Sequence, residues 1–410
     1  MHVSVSKTEY ENNIKSKISY LEFVLMMAFL MALNSLAIDV MLPALDTICS
    51  QLHAKDHNDQ HYIIFSYLIG FGISQLAYGP ISDRFGRIKP LIFGLACYAI
   101  SSVLCILSQS FFIFLLMRFL QGAGAASTRV ITVSIIRDLY HGREMASTTS
   151  LIILVFILVP VVAPATGQLL LLFGPWQMIF LAMALSAIAG IFWILIRLPE
   201  TLYEPRPLNF KSIVDGTKIV INNKVARGYC IATSAIMSGL FALLNTAKQV
   251  YADVFNLGKL FPLAFASVAI AQTLASLFNA KMVIRLGMKN ISHSAAIIYL
   301  LVSMILSIWT VLHNGEIAFY IYLPLLLVLM FSFGAMSANF NSLAMEPLGH
   351  LAGTAAAILG FGQTTIGSLV GLMISQQFNG SVEPLVIGFC AIGAFNLLLV
   401  LQTENWKLFN

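Results

Sequence analysis

The chain has 410 residues, of which 59% are hydrophobic and only 10% charged, against roughly a quarter charged in an average soluble protein. That composition excludes a soluble globular protein and leaves little chain for any soluble domain. The formal net charge of +5 is spread along the loops and forms no basic face, so it speaks to orientation in a bilayer and not to nucleic acid.

At about 20 apolar residues per crossing, twelve spanning helices are predicted, at about 21–42, 61–80, 90–108, 111–136, 148–173, 176–198, 226–250, 259–284, 291–312, 317–340, 353–378 and 383–402. The first follows a polar stretch holding Lys7, Lys15 and Lys17 and has no small-residue cleavage site after it, so it is read as a retained helix and not a signal peptide. Loops on one side collect nearly all the Lys and Arg, whereas the other side has only Lys55, Lys248 and Lys259. By the positive-inside rule both termini are cytoplasmic. Four cysteines lie in apolar segments and Cys49 lies in the first loop, with no metal or redox spacing. His53, His57 and His61 read as a polar outer loop, with metal binding there as the alternative.

Asp39 lies near the end of the first segment, in "LNSLAIDVMLPAL". It is either wetted at the outer surface or a protonatable group facing a water-filled cavity. After the second segment comes "GPISDRFGRIK". Gly79 and Gly86 are expected to let helix ends approach and turn. Asp83, Arg84 and Arg87, with Asp138 at the inner end of the fourth segment, form a candidate cytoplasmic latch; the alternative is a loop whose cations only set orientation.

The fourth segment carries Arg118 and Arg129, eleven residues apart and nearly on one face. Arg118 is a fixed charge facing Asp39 or a structural arginine on backbone carbonyls; Arg129 is expected to snorkel toward the cytoplasmic interface. In the fifth segment Pro160, Pro164 and Gly167 predict a bent, closely packed helix. A Pro-containing basic stretch at 199–224 then separates a first group of six helices (1–198) from a second (225–410). A worn repeat supports the division, since aligning Gly86 with Gly287 also aligns Arg84 with Arg285. The inside loop "NSLAMEPLGHLAG" has no Lys or Arg but holds Glu346. Glu346 is expected to meet Arg84 or Arg87 when the inner side closes, or else to cap a helix end.

Four features, "GPISDRFGRIK", "RFLQGAGAA", the prolines of the fifth segment and "RLPETL", resemble motifs of the major facilitator superfamily in its twelve-helix drug:proton antiporter division. Together "IDVMLPAL", "YGPISDRFGR" and "LPETL" resemble its Bcr/CflA multidrug efflux branch. The resemblance is dense over residues 30–202 and resumes weakly at "AGTAAAILGF". Two departures stand out: Gln168 follows Gly167 where paired glycines are usual, and Met31 stands where related antiporters carry a second acid.

The resemblance implies an all-α integral membrane fold of two six-helix bundles around a central cavity that opens alternately to each side. It also implies export of small, largely apolar compounds in exchange for protons across a bacterial inner membrane. Asp39 would carry the proton with Arg118 as its tuning charge, and Met31, Asn34, Gln121, Phe241, Asn245 and Gln249 would line the cavity. No cofactor and no nucleic acid is expected; the driving force is the proton gradient, the partners are a small molecule, protons and the bilayer, and the chain acts as a monomer. The alternatives are a dedicated siderophore or metabolite exporter, a proton-coupled nutrient importer, and a non-transporting receptor. No Ser/His or paired-acid constellation supports an enzyme.

Overall fold

The computed structural model describes residues 7–205 and 210–409, and every regular element among them is a helix. Eleven of these helices are long and apolar enough to cross a membrane, and a further apolar stretch, Val159–Phe173, belongs to a longer one. Each of the twelve predicted segments coincides with a helix. Large apolar side chains stay uncovered, with Phe112 75%, Ile196 75% and Ile284 88% exposed. In water each would forgo roughly 1.5–3 kcal/mol of burial, so lipid is the solvent for these faces.

The chain divides into two compact units, Met1–His53 with Ser66–Lys211, and Ala54–Phe65 with Ser212–Asn410. In the first unit the helices are α1 (Lys7–Lys17), α2 (Tyr20–Asp39), α3 (Leu45–Gln51), α4 (Gln60–Phe85, whose first turns belong to the second unit), α5 (Ile88–Leu107), α6 (Phe111–Leu139), α7 (Gly142–Phe173) and α8 (Gln177–Arg197). Ser19 caps α2 by accepting the Glu22 N–H at 3.2 Å. The helix stops at Asp39 because Pro43 lies just beyond and a short 3-10 turn takes over. Phe114, Trp176 and Phe180 pack edge to face and pin the start of α6 to α8.

The polar N-terminal stretch, expected only as a leader to the first span, is itself a docked helix. Ile14 and Ile18 are buried, Tyr10 Oη donates to the Glu200 carbonyl at 2.8 Å, and Lys15 pairs with Glu144 at 3.3 Å while lying over the Tyr140 ring. Burial and the neighbouring Glu200 and Asp138 carboxylates push the Tyr10 phenol above its usual value.

The second unit contains α9 (Phe210–Asn222), α10 (Lys224–Lys248), α11 (Phe261–Leu286), α12 (Met288–Leu312), α13 (Phe319–Met345), α14 (Ala352–Phe361), α15 (Gly367–Ser375) and α16 (Glu383–Thr403). The stretch expected as a linker thus holds a helix, α9; residues 206–209 of that stretch lie outside the described residues. π turns follow α10 at Gln249–Val254 and join α14 to α15 at Gly362–Ile366. The repeat seen in sequence has a backbone counterpart: Gly86 ends α4 at φ 88° and Gly287 ends α11 at φ 81°, a conformation that suits glycine.

Each half also has an acid after its last helix that reaches this loop. Glu200 binds the backbone N–H of Arg87 and Ile88, and Glu404 binds Lys289 Nζ at 2.6 Å. Burial pushes the Glu404 carboxyl up, but Lys289 and Tyr229 outweigh it and hold it below its usual value.

Candidate functional site

Asp39 is the last residue of α2 and is 4% exposed. Among the described residues its carboxyl makes no ion pair and no hydrogen bond. What encloses this end of α2 is α7. A Cβ on Gly167 would lie 1.9 Å from the Val40 carbonyl oxygen, so only glycine allows the two backbones to meet here. Pro164, inside the same helix, has no N–H to give the carbonyl four residues back, at Pro160. The close packing expected from this spacing is therefore located one residue past the acid. Gly167→Ala is expected to push α7 off Val40, costing about 1–3 kcal/mol by overpacking. A lower melting temperature together with lost transport would be the readout.

Arg118 is wholly buried, and its contacts match the structural reading more closely than a direct pairing. Nη2 donates to the Ala37 carbonyl at 3.1 Å and Nη1 to Gln121 Oε1. The guanidinium lies 4.7 Å over the Tyr67 ring and 5.8 Å from that of Phe180. No ion pair joins it to Asp39 among the described residues; it grips the helix turn that presents the acid.

From Arg118 a network runs through the first unit. Gln121 Nε2 donates to Ser102 Oγ at 2.7 Å, and Tyr67 Oη donates to Asn34 Oδ1 at 2.9 Å. Gln121, expected to line a cavity, is instead fully enclosed in this network, because its amide satisfies two buried polar groups. Met31 and Asn34 remain half-buried.

The other expected cavity residues lie in the second unit and are packed inward. Phe241, 9% exposed, faces Gly367 and Gly371 of the α15 region. Asn245 donates to Ser375 Oγ at 3.2 Å, and its own Oδ1 is buried with no hydrogen-bond partner among the described residues. Gln249 is turned away to His61, at 2.7 Å, and to Asn58 Oδ1 at 3.1 Å.

This last contact corrects the reading of the histidines. His61 is no loop residue but the second residue of α4, fully buried. His53 and His57 stay exposed, as expected, and His57 lies 3.5 Å from Asp253. Among the described residues no group of three or more His, Cys, Asp or Glu is placed to hold a metal ion.

Within the second unit Asn58 serves as a hook. Its Nδ2 donates to the carbonyls of Gln376 and Phe378 at 3.1 and 3.0 Å, and Gln376 Nε2 returns a bond to the Asn58 carbonyl. Asn58→Ala leaves those carbonyls and Gln249 short of partners. It is expected to cost about 1–3 kcal/mol and to raise hydrogen exchange in Ala54–Phe65.

At the opposite end of α4 the latch residues do assemble. Arg87, 2% exposed, holds Asp138 with Nε at 2.7 Å and Nη2 at 3.3 Å. Its Nη1 serves Ser82 at 2.8 Å and Asp83. Burial pulls this guanidinium down, but Asp138 and Asp83 outweigh it and hold it above its usual value.

Sequence reasoning missed Glu200. Its carboxylate accepts the N–H groups of Arg87, Ile88, Thr201 and Leu202, and a Cβ on Gly86 would lie 2.4 Å from it. The signal was present in "LPETL", where an acid follows a proline at a helix end.

Gly79 does not play the part expected of it. It sits in the body of α4 with nothing within 4 Å of an added Cβ, so no close approach occurs there. With the donors of Arg87 already spent, the exposed cations flanking it are Arg84 and Lys89. Glu346 is exposed at the start of a 3-10 turn after α13 and forms no ion pair among the described residues.

The Major Facilitator Superfamily profile matches residues 26–372. The chain is 30% identical over 363 residues to a Bacillus subtilis (strain 168) protein called Uncharacterized MFS-type transporter YdgK, covering 86% of this chain and 88% of that one. It is 26% identical to the Bicyclomycin resistance protein homolog of Haemophilus influenzae, over 94% and 97% of the two chains. To the Multidrug resistance protein MdtL of Escherichia coli O157:H7 it is 32% identical over 55% and 57%. Among solved structures it resembles a D-xylose-proton symporter, with TM-score 0.74 at 16% identity over 96% and 98% of the chains. It also resembles the nucleoside transporter NupG, with TM-score 0.71 at 13% identity over 94% and 99%.

Proposed function

The chain belongs to the major facilitator superfamily, whose members are membrane carriers and not enzymes, and on that premise we propose that it exports small, largely apolar compounds in exchange for protons. The site lies in a bacterial inner membrane, with both termini cytoplasmic and the gradient as the sole energy source. The observation that carries the reading is Asp39, a carboxyl enclosed at the end of α2 with no ion pair among the described residues. An ionised carboxylate there is costly and a protonated one is not, so opening and closing the enclosure exchanges a proton with the side that is open. Arg118 tunes this step through the Ala37 carbonyl, holding the acid's helix turn in position.

The names of the bicyclomycin and multidrug resistance relatives support export of drug-like compounds. Half-buried Met31 and Asn34 offer an adaptable apolar surface with one amide, which suits loose recognition. Inverted vesicles test the proposal directly: with an acid interior, adding a transported compound releases protons. Proton movement that ignores every compound, or compound accumulation unaffected by collapsing the gradient, would overturn it.

A further inference from the structure

The two arginines of α6 have opposite fates. Arg118 spends its donors on Gln121 and Ala37 and lies against two aromatic rings. Arg129 is exposed, and among the described residues no hydrogen bond or ion pair reaches it.

Its exposure lies off the main apolar stripe of α6. In the first half of the helix that stripe is Phe112, Ile113, Leu116 and Leu120, and at 100° per residue Arg129 points about 155° away from its middle, with half-uncovered Val133 one turn further on. It shares its face with Arg118, Ala125 and Ile136, all buried. α6 continues for about 15 Å beyond it to Leu139. Asp39 does not neutralise it. The Ala37 contact sets Asp39 near the level of Arg118, and Arg129 is about 16 Å further along the helix. A charged residue in a span costs about 2.5–3.5 kcal/mol on insertion scales, and such residues face cavities and mark the path of a transported species. A guanidinium with five unspent donors suits one chemistry above others, a planar or tetrahedral oxyanion.

We infer that Arg129 recognises an anionic group, a carboxylate, sulfonate or phosphate, on an otherwise apolar transported compound. The inference rests on the transport reading and narrows its substrate class. Arg129 faces away from the lipid stripe, so the anion is that of a solute; lipid-free detergent removes phospholipid as a competitor.

The test uses the purified full chain in such detergent with three probes built on one ring system: 1-naphthoate, 1-naphthamide and 1-naphthylmethylammonium. The wild type should bind naphthoate at least about tenfold more tightly than the cation. Arg129→Gln breaks no hydrogen bond or ion pair among the described residues and should keep its melting temperature. It should weaken naphthoate about ten- to a hundredfold, as loss of a charge-assisted hydrogen-bond pair predicts, and leave naphthamide within about twofold. Arg129→Lys should recover part of the affinity, and Arg129→Glu should favour the cation. A wild type without preference for the anion, whether all probes bind alike or none binds, overturns the inference, as does Arg129→Gln binding naphthoate like wild type. Binding is read without any gradient, so failure of proton coupling in vesicles counts against the antiport reading and leaves this result standing.

Discussion

Asp39→Asn is expected to abolish substrate-driven proton movement while the protein still folds and still binds compound. The side chains are nearly the same size, so α7 keeps its seat on Val40, and no ion pair among the described residues is lost. Asparagine has no proton to exchange at the enclosed position. Thermal melting should stay equal or rise slightly, since a group that is costly when ionised has been removed from a buried place. Proton release in inverted vesicles should fall to the level of empty vesicles. Normal release in this variant would remove Asp39 from the coupling mechanism, and a chain that no longer folds would show the acid to be structural.

Arg87→Ala should have the largest effect on stability. It strips Asp138 and Asp83 of their common cation, and their side chains are 16% and 33% exposed, so each carboxylate is left partly buried without a counter-charge. Breaking a buried pair from one side costs about 3–5 kcal/mol; the partial exposure of Asp83 argues for about 3. Pairing it with Asp138→Asn should recover part of that loss by removing the stranded charge. If the single variant melts like wild type, the cluster braces nothing and the basic loop serves orientation alone.

Why the twelve segments were readable is plain: lipid demands about twenty apolar residues per crossing, and local composition answers that demand wherever the chain later packs. The ion-pair cluster around Arg87 was readable for a similar reason, because Asp83 and Arg87 stand one helical turn apart and Asp138 lies at the end of the next span but one. Glu200 was not, since its four donors come from both sides of a contact more than a hundred residues apart in sequence. Gln121 looked like a cavity amide because a polar residue in a span invites that reading. Only the packing of α5 and α8 against it reveals Ser102 and Met183 as its partners. His61 and Asn58 sit among loop-like residues, and nothing local announces that they engage Gln249 on another part of the chain.

Surface loops ordinarily absorb inserted or deleted residues at little cost. The two segments joined by Glu200 are an exception. One carboxylate spans Arg87 and Ile88 on one side and Thr201 and Leu202 on the other, with Gly86 pressed against it. Adding or removing a single residue on either side would shift the N–H groups out of register with two fixed oxygens. The length of these short connecting stretches is therefore as constrained as the interior of a helix. Drift in this part of the chain can change side chains but not spacing, and it leaves the rest of the connecting stretch free to grow or shrink.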